Sequence, residues 1–119
     1  MTDGHHDEFA ADGNPPVRTT LTDGIGRVTL SGDIDHGVAP LLTAALDELI
    51  SSGARSLVVD FAQLSFFDSA CISALVRAHS SVTENGGTVR LVNVNRFAIR
   101  VLEISGLVPL FDIEPSGKS

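Results

Sequence analysis

Apolar positions along this chain change their period several times, and each change marks a new element. Over Val17–Thr22 and again over residues 26–31, β-branched and aliphatic residues alternate with polar ones, the two-residue period of a strand with one covered face. The "TDGIG" between them supplies the Asp and Gly that a tight turn needs, so the pair reads as a β-hairpin. Leu41, Leu42, Ala45, Leu46, Leu49 and Ile50 then recur at three- and four-residue spacing, an apolar stripe along a helix ended by Gly53, with Asp47 and Glu48 pointing away from it. Residues 56–61, "SLVVDF", form a continuous aliphatic run of the kind a strand shows when both faces are covered. A second helix fits residues 69–85. It turns Ile72, Leu75, Val76 and Val82 inward and Arg77, Ser80, Ser81 and Glu84 outward, and Gly86-Gly87 stops it. "TVRLVNV" follows as a strand. Residues 96–105 predict a third helix, with Phe97, Val101 and Leu102 as its buried stripe and Gly106 as the left-handed residue past its end; residues 108–113 predict a last strand.

A hairpin followed by strands and helices in alternation predicts parallel strands joined by right-handed crossovers, and crossovers that step one way along a sheet place their helices on one face. The expected fold class is therefore α/β: a small mixed β-sheet, an N-terminal hairpin and then parallel strands, with helices mainly on one face. In such folds the functional loops gather where strands end and helices begin. Two of these loops are unusually polar: residues 32–37, "GDIDHG", and residues 67–71, "FDSAC".

Charge narrows the function classes. The formal net charge is -7, and Asp3, Asp7, Glu8 and Asp12 fall within the first sixteen residues, which hold no Lys or Arg. Residues 1–16 therefore read as a flexible acidic tail that cannot bury enough apolar surface to offset the entropy of ordering, and residues 17–119 as one domain. An acidic chain with no Trp or Tyr has neither the clustered cations nor the stacking rings of a nucleic-acid binder. The His5-His6 pair has no partner pair at ligand spacing, so no metal is expected there. One cysteine, no signal-peptide pattern and no apolar run of membrane-spanning length point to a cytoplasmic protein without membrane insertion.

Both polar loops have a capping explanation. Asp33, Asp35 and His36 precede a helix whose first N–H groups lack partners, and Asp68 or Ser69 can cap the next one. Enzymatic explanations fare worse. Ser69 lacks the flanking glycines of a nucleophile elbow. Cys71 would need His36 or His79 as a base, and its place in a first helical turn favours packing; His79 reads as a partly buried packing residue. Asp33, Asp35 and His36 lack a fourth metal ligand, no phosphate-cradling loop occurs, and no cofactor is expected. One chemical role needs only what is present: an exposed Ser69 hydroxyl at a helix start that another protein can phosphorylate. The added charge of about -1.5 to -2 would be tolerated at the helix N-terminus and resisted by a partner packed over it.

The motifs resemble those of the STAS-domain family of bacterial anti-sigma factor antagonists over roughly residues 17–113. "LSGDIDHGVAPLL" is similar to the family's first-loop segment, "LVVDFAQLSFFDSACISALV" to its strand, loop and D-S-S-G-L helix start, and "VLEISGLVPLFDI" to its closing helix, turn and strand. The resemblance implies that Ser69 is the serine phosphorylated by a partner kinase, with Asp68 the acid before it and Asp35 the acid of the first loop. Asp33, Asp35, His36, Asp68, Ser69, Ala70 and Cys71 would then form the partner-binding surface. It implies a non-enzyme: unmodified, the antagonist binds an anti-sigma factor that is often itself a serine kinase, and phosphorylation releases that kinase to hold sigma factor again. A phosphatase and a weak homodimer are further partners it implies. The family's second serine is Ala70 here and its glycine is Cys71, which also puts a thiol two residues from the switch, where oxidation would block docking. The sequence stops at "EPSGKS" where many members continue into a last helix, which would leave one edge open. A constitutive scaffold in a signalling or transporter-associated complex, with Ser69 merely a cap, stays open beside this reading.

Overall fold

A computed structural model describes residues 15–116. The expected tail, residues 1–16 with its His5-His6 pair, lies outside the described residues except for Pro15 and Pro16. The elements in order are strands β1 (Val17–Thr22) and β2 (Ile25–Ile34), helix α1 (Ala39–Ser51), strand β3 (Ser56–Phe67), helix α2 (Ser69–Thr83), strand β4 (Val89–Val94), helix α3 (Arg96–Ile104), a short 3-10 turn (Val108–Leu110) and strand β5 (Asp112–Pro115). The strands lie in the order β1-β2-β3-β4-β5. β1 is antiparallel to β2, and every later neighbour is parallel.

The β1–β2 turn is Asp23-Gly24, both with positive φ (54° and 79°), the backbone that a two-residue hairpin demands and that Asp and Gly adopt most readily. Ile25 and Gly26, expected in the turn or at its rim, are already strand. Along β2, β3 and β4 the residues Val28, Leu30, Leu57, Val59, Phe61, Val89 and Leu91 are buried. They join one core with Leu42, Leu46, Leu75, Ala98 and Leu102 from the helices. Between them Arg27 and Arg90 face out and are exposed, so the helices cover one face of the sheet. Each fully buried leucine contributes about 2–3 kcal/mol of burial. Gly87 is required for a different reason. A Cβ there would collide with the Arg55 carbonyl, because the chain leaving α2 closes directly onto the start of β3.

Five expectations are corrected. β2 runs to Ile34 and β3 to Phe67, well past residues 31 and 61, because these two strands go on pairing with each other beyond the reach of β4. Register shifts between Thr29 and Ser31 and between Gly32 and Asp33 disrupt the alternation that would have announced it. Leu41 and Phe97 are surface residues, 57% and 58% exposed, since a helix cannot turn two adjacent residues equally inward and Leu42 and Ala98 take the core positions. Residues 108–113 begin as the 3-10 turn and become strand only at Asp112.

Candidate functional site

The β2–α1 and β3–α2 loops come together at one end of the sheet because β2 and β3 are adjacent and parallel. In the first loop Asp35 Oδ1 accepts the N–H groups of Gly37 (3.0 Å) and Val38 (3.2 Å). Its carbonyl oxygen accepts those of Val38 and Ala39. α1 itself has Val38 at its N-cap with no side-chain cap and Pro40 in its first turn, where a missing N–H costs nothing. Asp35 thus shapes the turn that feeds α1.

In the second loop Asp68 is the N-cap of α2. Its Oδ1 accepts from the N–H groups of Ala70 (2.9 Å) and Cys71 (3.3 Å). Its Oδ2 reaches across to the first loop and accepts the N–H of His36 at 2.9 Å. The His36 ring is 88% exposed, with Nδ1 3.9 Å from the same oxygen. One carboxylate therefore satisfies two donors of its own helix and one from the neighbouring loop, locking the two loops into a single surface.

That arrangement settles which residue caps α2. The sequence allowed Asp68 or Ser69; Asp68 does it. Ser69 is the first residue of the 15-residue helix, is exposed, and its hydroxyl has no hydrogen-bond partner among the described residues. Ala70 is half-buried beside it, and Ala70 and Cys71 sit in a regular first turn, so Cys71 leaves the local backbone helical.

The remaining site residues divide. Asp33 is exposed but lies in β2, in register with Phe66, and takes no part in the turn, a correction to its placement in the helix-start loop. Cys71 is fully buried, and desolvation, with the Asp68 carboxylate adding to it, pushes its thiol from an ordinary 9.0 up to about 12. Its side chain lies beneath the partner surface expected of it and cannot be the exposed, easily ionised thiol that oxidation prefers. His79 is half-buried, edge-on to Phe111 at 5.4 Å. It is two helical turns from Cys71, about 12 Å of rise. Among the described residues no three His, Cys, Asp or Glu side chains cluster as metal ligands, and no helix is long and apolar enough to cross a membrane.

Sequence reading missed the apolar rim of this surface. Phe66 is 46% exposed two residues before Asp68, Leu41 is exposed in the first turn of α1, and Phe97 is exposed in the first turn of α3. Phe97 stacks edge-on against Phe67 at 6.4 Å, which brings the start of α3 beside the Asp68 turn. The available signal was the adjacency of Leu41 to Leu42 and of Phe97 to Ala98.

Comparison with known proteins gives this arrangement its context. The STAS domain model matches residues 16–119. The chain is 32% identical over 87 residues to the anti-sigma-B factor antagonist of Bacillus subtilis, covering 73% of this chain and 79% of that one. It is 28% identical over 95 residues to the anti-sigma F factor antagonist of Paenibacillus polymyxa, covering 76% and 81%. The solved structure of the Bacillus cell fate determinant SpoIIAA in its phosphorylated form superposes with a TM-score of 0.68 at 22% identity, over 86% of this chain and 94% of that one. With the five-stranded mixed sheet, three helices and paired loops already described, this chain belongs to the STAS-domain family of anti-sigma factor antagonists.

Proposed function

We propose that this protein is a phosphorylation-switched binding module: unmodified, it holds an anti-sigma factor that is a serine kinase against the joined loops, and phosphorylation of Ser69 releases that kinase to sequester sigma factor. A phosphatase would restore the docking form. The chain would serve as ligand and substrate and perform no catalysis of its own. The observation that carries this reading is the exposed Ser69 hydroxyl, unbonded among the described residues, at the start of a helix already capped by Asp68. A serine needed for capping would have its oxygen occupied; this one is available for transfer. The phosphorylated form of SpoIIAA supports the same chemistry on a chain of the same fold.

The chemistry explains how one phosphate could act as a switch. Within the domain, its charge would sit at the positive end of a four-turn helix and be tolerated there. Against a partner packed over Asp35, His36 and Ala70, it would have to be buried without a prepared counter-charge. A loss of about 4 kcal/mol weakens a complex roughly a thousandfold. The test is partner capture by the wild type, Ser69→Ala and Ser69→Glu, read by mass spectrometry with phosphosite mapping. An anti-sigma kinase held by wild type and Ser69→Ala but lost by Ser69→Glu, with phosphate on Ser69, is the expected result. The same partners on all three, with Ser69 unmodified, would replace the switch with a constitutive scaffold.

A further inference from the structure

α3 carries an exposed feature that the switch does not use. Arg96 and Arg100 stand one turn apart on its outer side, a like-charged pair of the kind that destabilises a helix by a few tenths of a kcal/mol. Neither has an ion-pair partner among the described residues. With Phe97, Ile99 and Glu103 they line a shallow groove of about 450 Å³. Ile104, 79% exposed, lies one turn beyond Arg100. A groove lined by two arginines and an exposed phenyl ring fits an acidic peptide bearing an aromatic residue.

This chain contains one. Residues 1–14 lie outside the described residues and include Asp7-Glu8-Phe9, two adjacent carboxylates followed by a phenyl ring, with Asp3 and Asp12 adding charge of the same sign. Their point of attachment is at the right end of the molecule. Pro16 is tied to β2 through its carbonyl, which accepts the Ser31 N–H at 2.9 Å. β2 runs from there towards the end of the sheet where β4 hands over to α3. Three strand spacings from β1 to β4 amount to about 14 Å. The nine residues from Pro16 back to Asp7 span up to about 30 Å when extended.

We propose that the acidic N-terminal arm docks in the α3 groove of its own chain, Asp7 and Glu8 against Arg96 and Arg100 and Phe9 against Phe97.

The chain has no Trp or Tyr, so Phe9→Trp in the full-length protein supplies a single indole that reports docking without any partner present. A blue-shifted emission protected from acrylamide is expected. Both are expected to be lost when Arg96→Ala and Arg100→Ala are added, when Asp7→Asn and Glu8→Gln are added, and in 1 M salt, where charges are screened beyond about 3 Å. Far-UV circular dichroism confirms the fold in each variant. A water-exposed indole in Phe9→Trp alone, or a shielded one indifferent to both pairs of substitutions, overturns the proposal. Shielding that vanishes on dilution also overturns it and gives the groove to a second copy of the chain. Failure of the kinase switch leaves these fluorescence expectations untouched.

Discussion

At the start of α1, the Asp35 side chain bonds N–H groups two and three residues further along its own turn, and nothing outside it among the described residues. At the start of α2, Asp68 does the equivalent for Ala70 and Cys71 and also reaches 32 residues back to His36. Both acids announce a helix start in the sequence, but only one joins two parts of the chain. The difference lies in topology: β2 and β3 are parallel neighbours, so their ends arrive side by side, and a cap on the second can serve the first as well. Asp68 therefore ties the two loops together, while the Ser69 hydroxyl, beside it, makes no hydrogen bond among the described residues.

The largest contrast within the Asp68 turn is between its hydroxyl and its thiol. Cys71 is sealed and Ser69 open, two positions apart. With the thiol pushed from 9.0 to about 12, its thiolate fraction at pH 7 falls roughly a thousandfold, so alkylation by iodoacetamide should proceed only through opening of the structure. Mass-spectrometric labelling with and without denaturant measures this; rapid labelling of the native chain would break the contrast. The sign for stability follows. A folded-state value above the unfolded one favours the fold fully below about pH 9, and this contribution drains away as pH rises towards 12, visible as a fall in Tm over that window that Cys71→Ala should lack.

Next in size is the joining carboxylate itself. Asp68→Ala removes a cap, worth about 1 kcal/mol, and leaves the His36 N–H without its charged acceptor, worth about 1.5–3 kcal/mol. Chemical denaturation should show a loss of about 2–4 kcal/mol. Asp68→Asn keeps one acceptor oxygen and should lose about half as much. Asp35→Ala should cost only about 1 kcal/mol, because its bonds are local and partly solvated. Asp35 and Asp68 hold successive N–H groups of one turn, so the double substitution should depart from additivity by at least about 0.5 kcal/mol. Simple additivity would mean that the two loops are independent after all.

What was legible in the sequence follows the same line between local and distant causes. The Asp23-Gly24 turn, the stripe of α2, that of α1 apart from Leu41, and the stop at Gly86-Gly87 are each dictated within a few residues, and all were readable. The last three residues of β2 and the far half of β3 were not. Ala62, Gln63 and Ser65 look like loop, and only pairing with Ser31, Gly32 and Asp33 across the sheet makes that stretch a strand. Phe97 illustrates the opposite error, an aromatic assigned to the core on hydrophobicity when Ala98 and Leu102 fill that side of α3. The bond from Asp68 to His36 had no signature at all, since it depends on two strands lying side by side. Motif order, by contrast, pointed to the family from three short stretches whose residues meet at one surface only in part.

The smallest predicted effect on stability is also the most informative about function. If Ser69 helped to hold α2, Ser69→Ala would cost about 1 kcal/mol, as loss of a serine cap does. Asp68 occupies that role and the Ser69 hydroxyl is exposed and unbonded among the described residues, so the expected change lies within about 0.5 kcal/mol of zero. Alanine also propagates a helix at least as well as serine, which makes a slight gain as natural an outcome as a slight loss. Equilibrium denaturation of wild type and Ser69→Ala under identical conditions decides it. A loss above 1 kcal/mol would return Ser69 to the fold and favour the scaffold; a value near zero leaves an exposed serine free of structural cost, as the proposed switch requires.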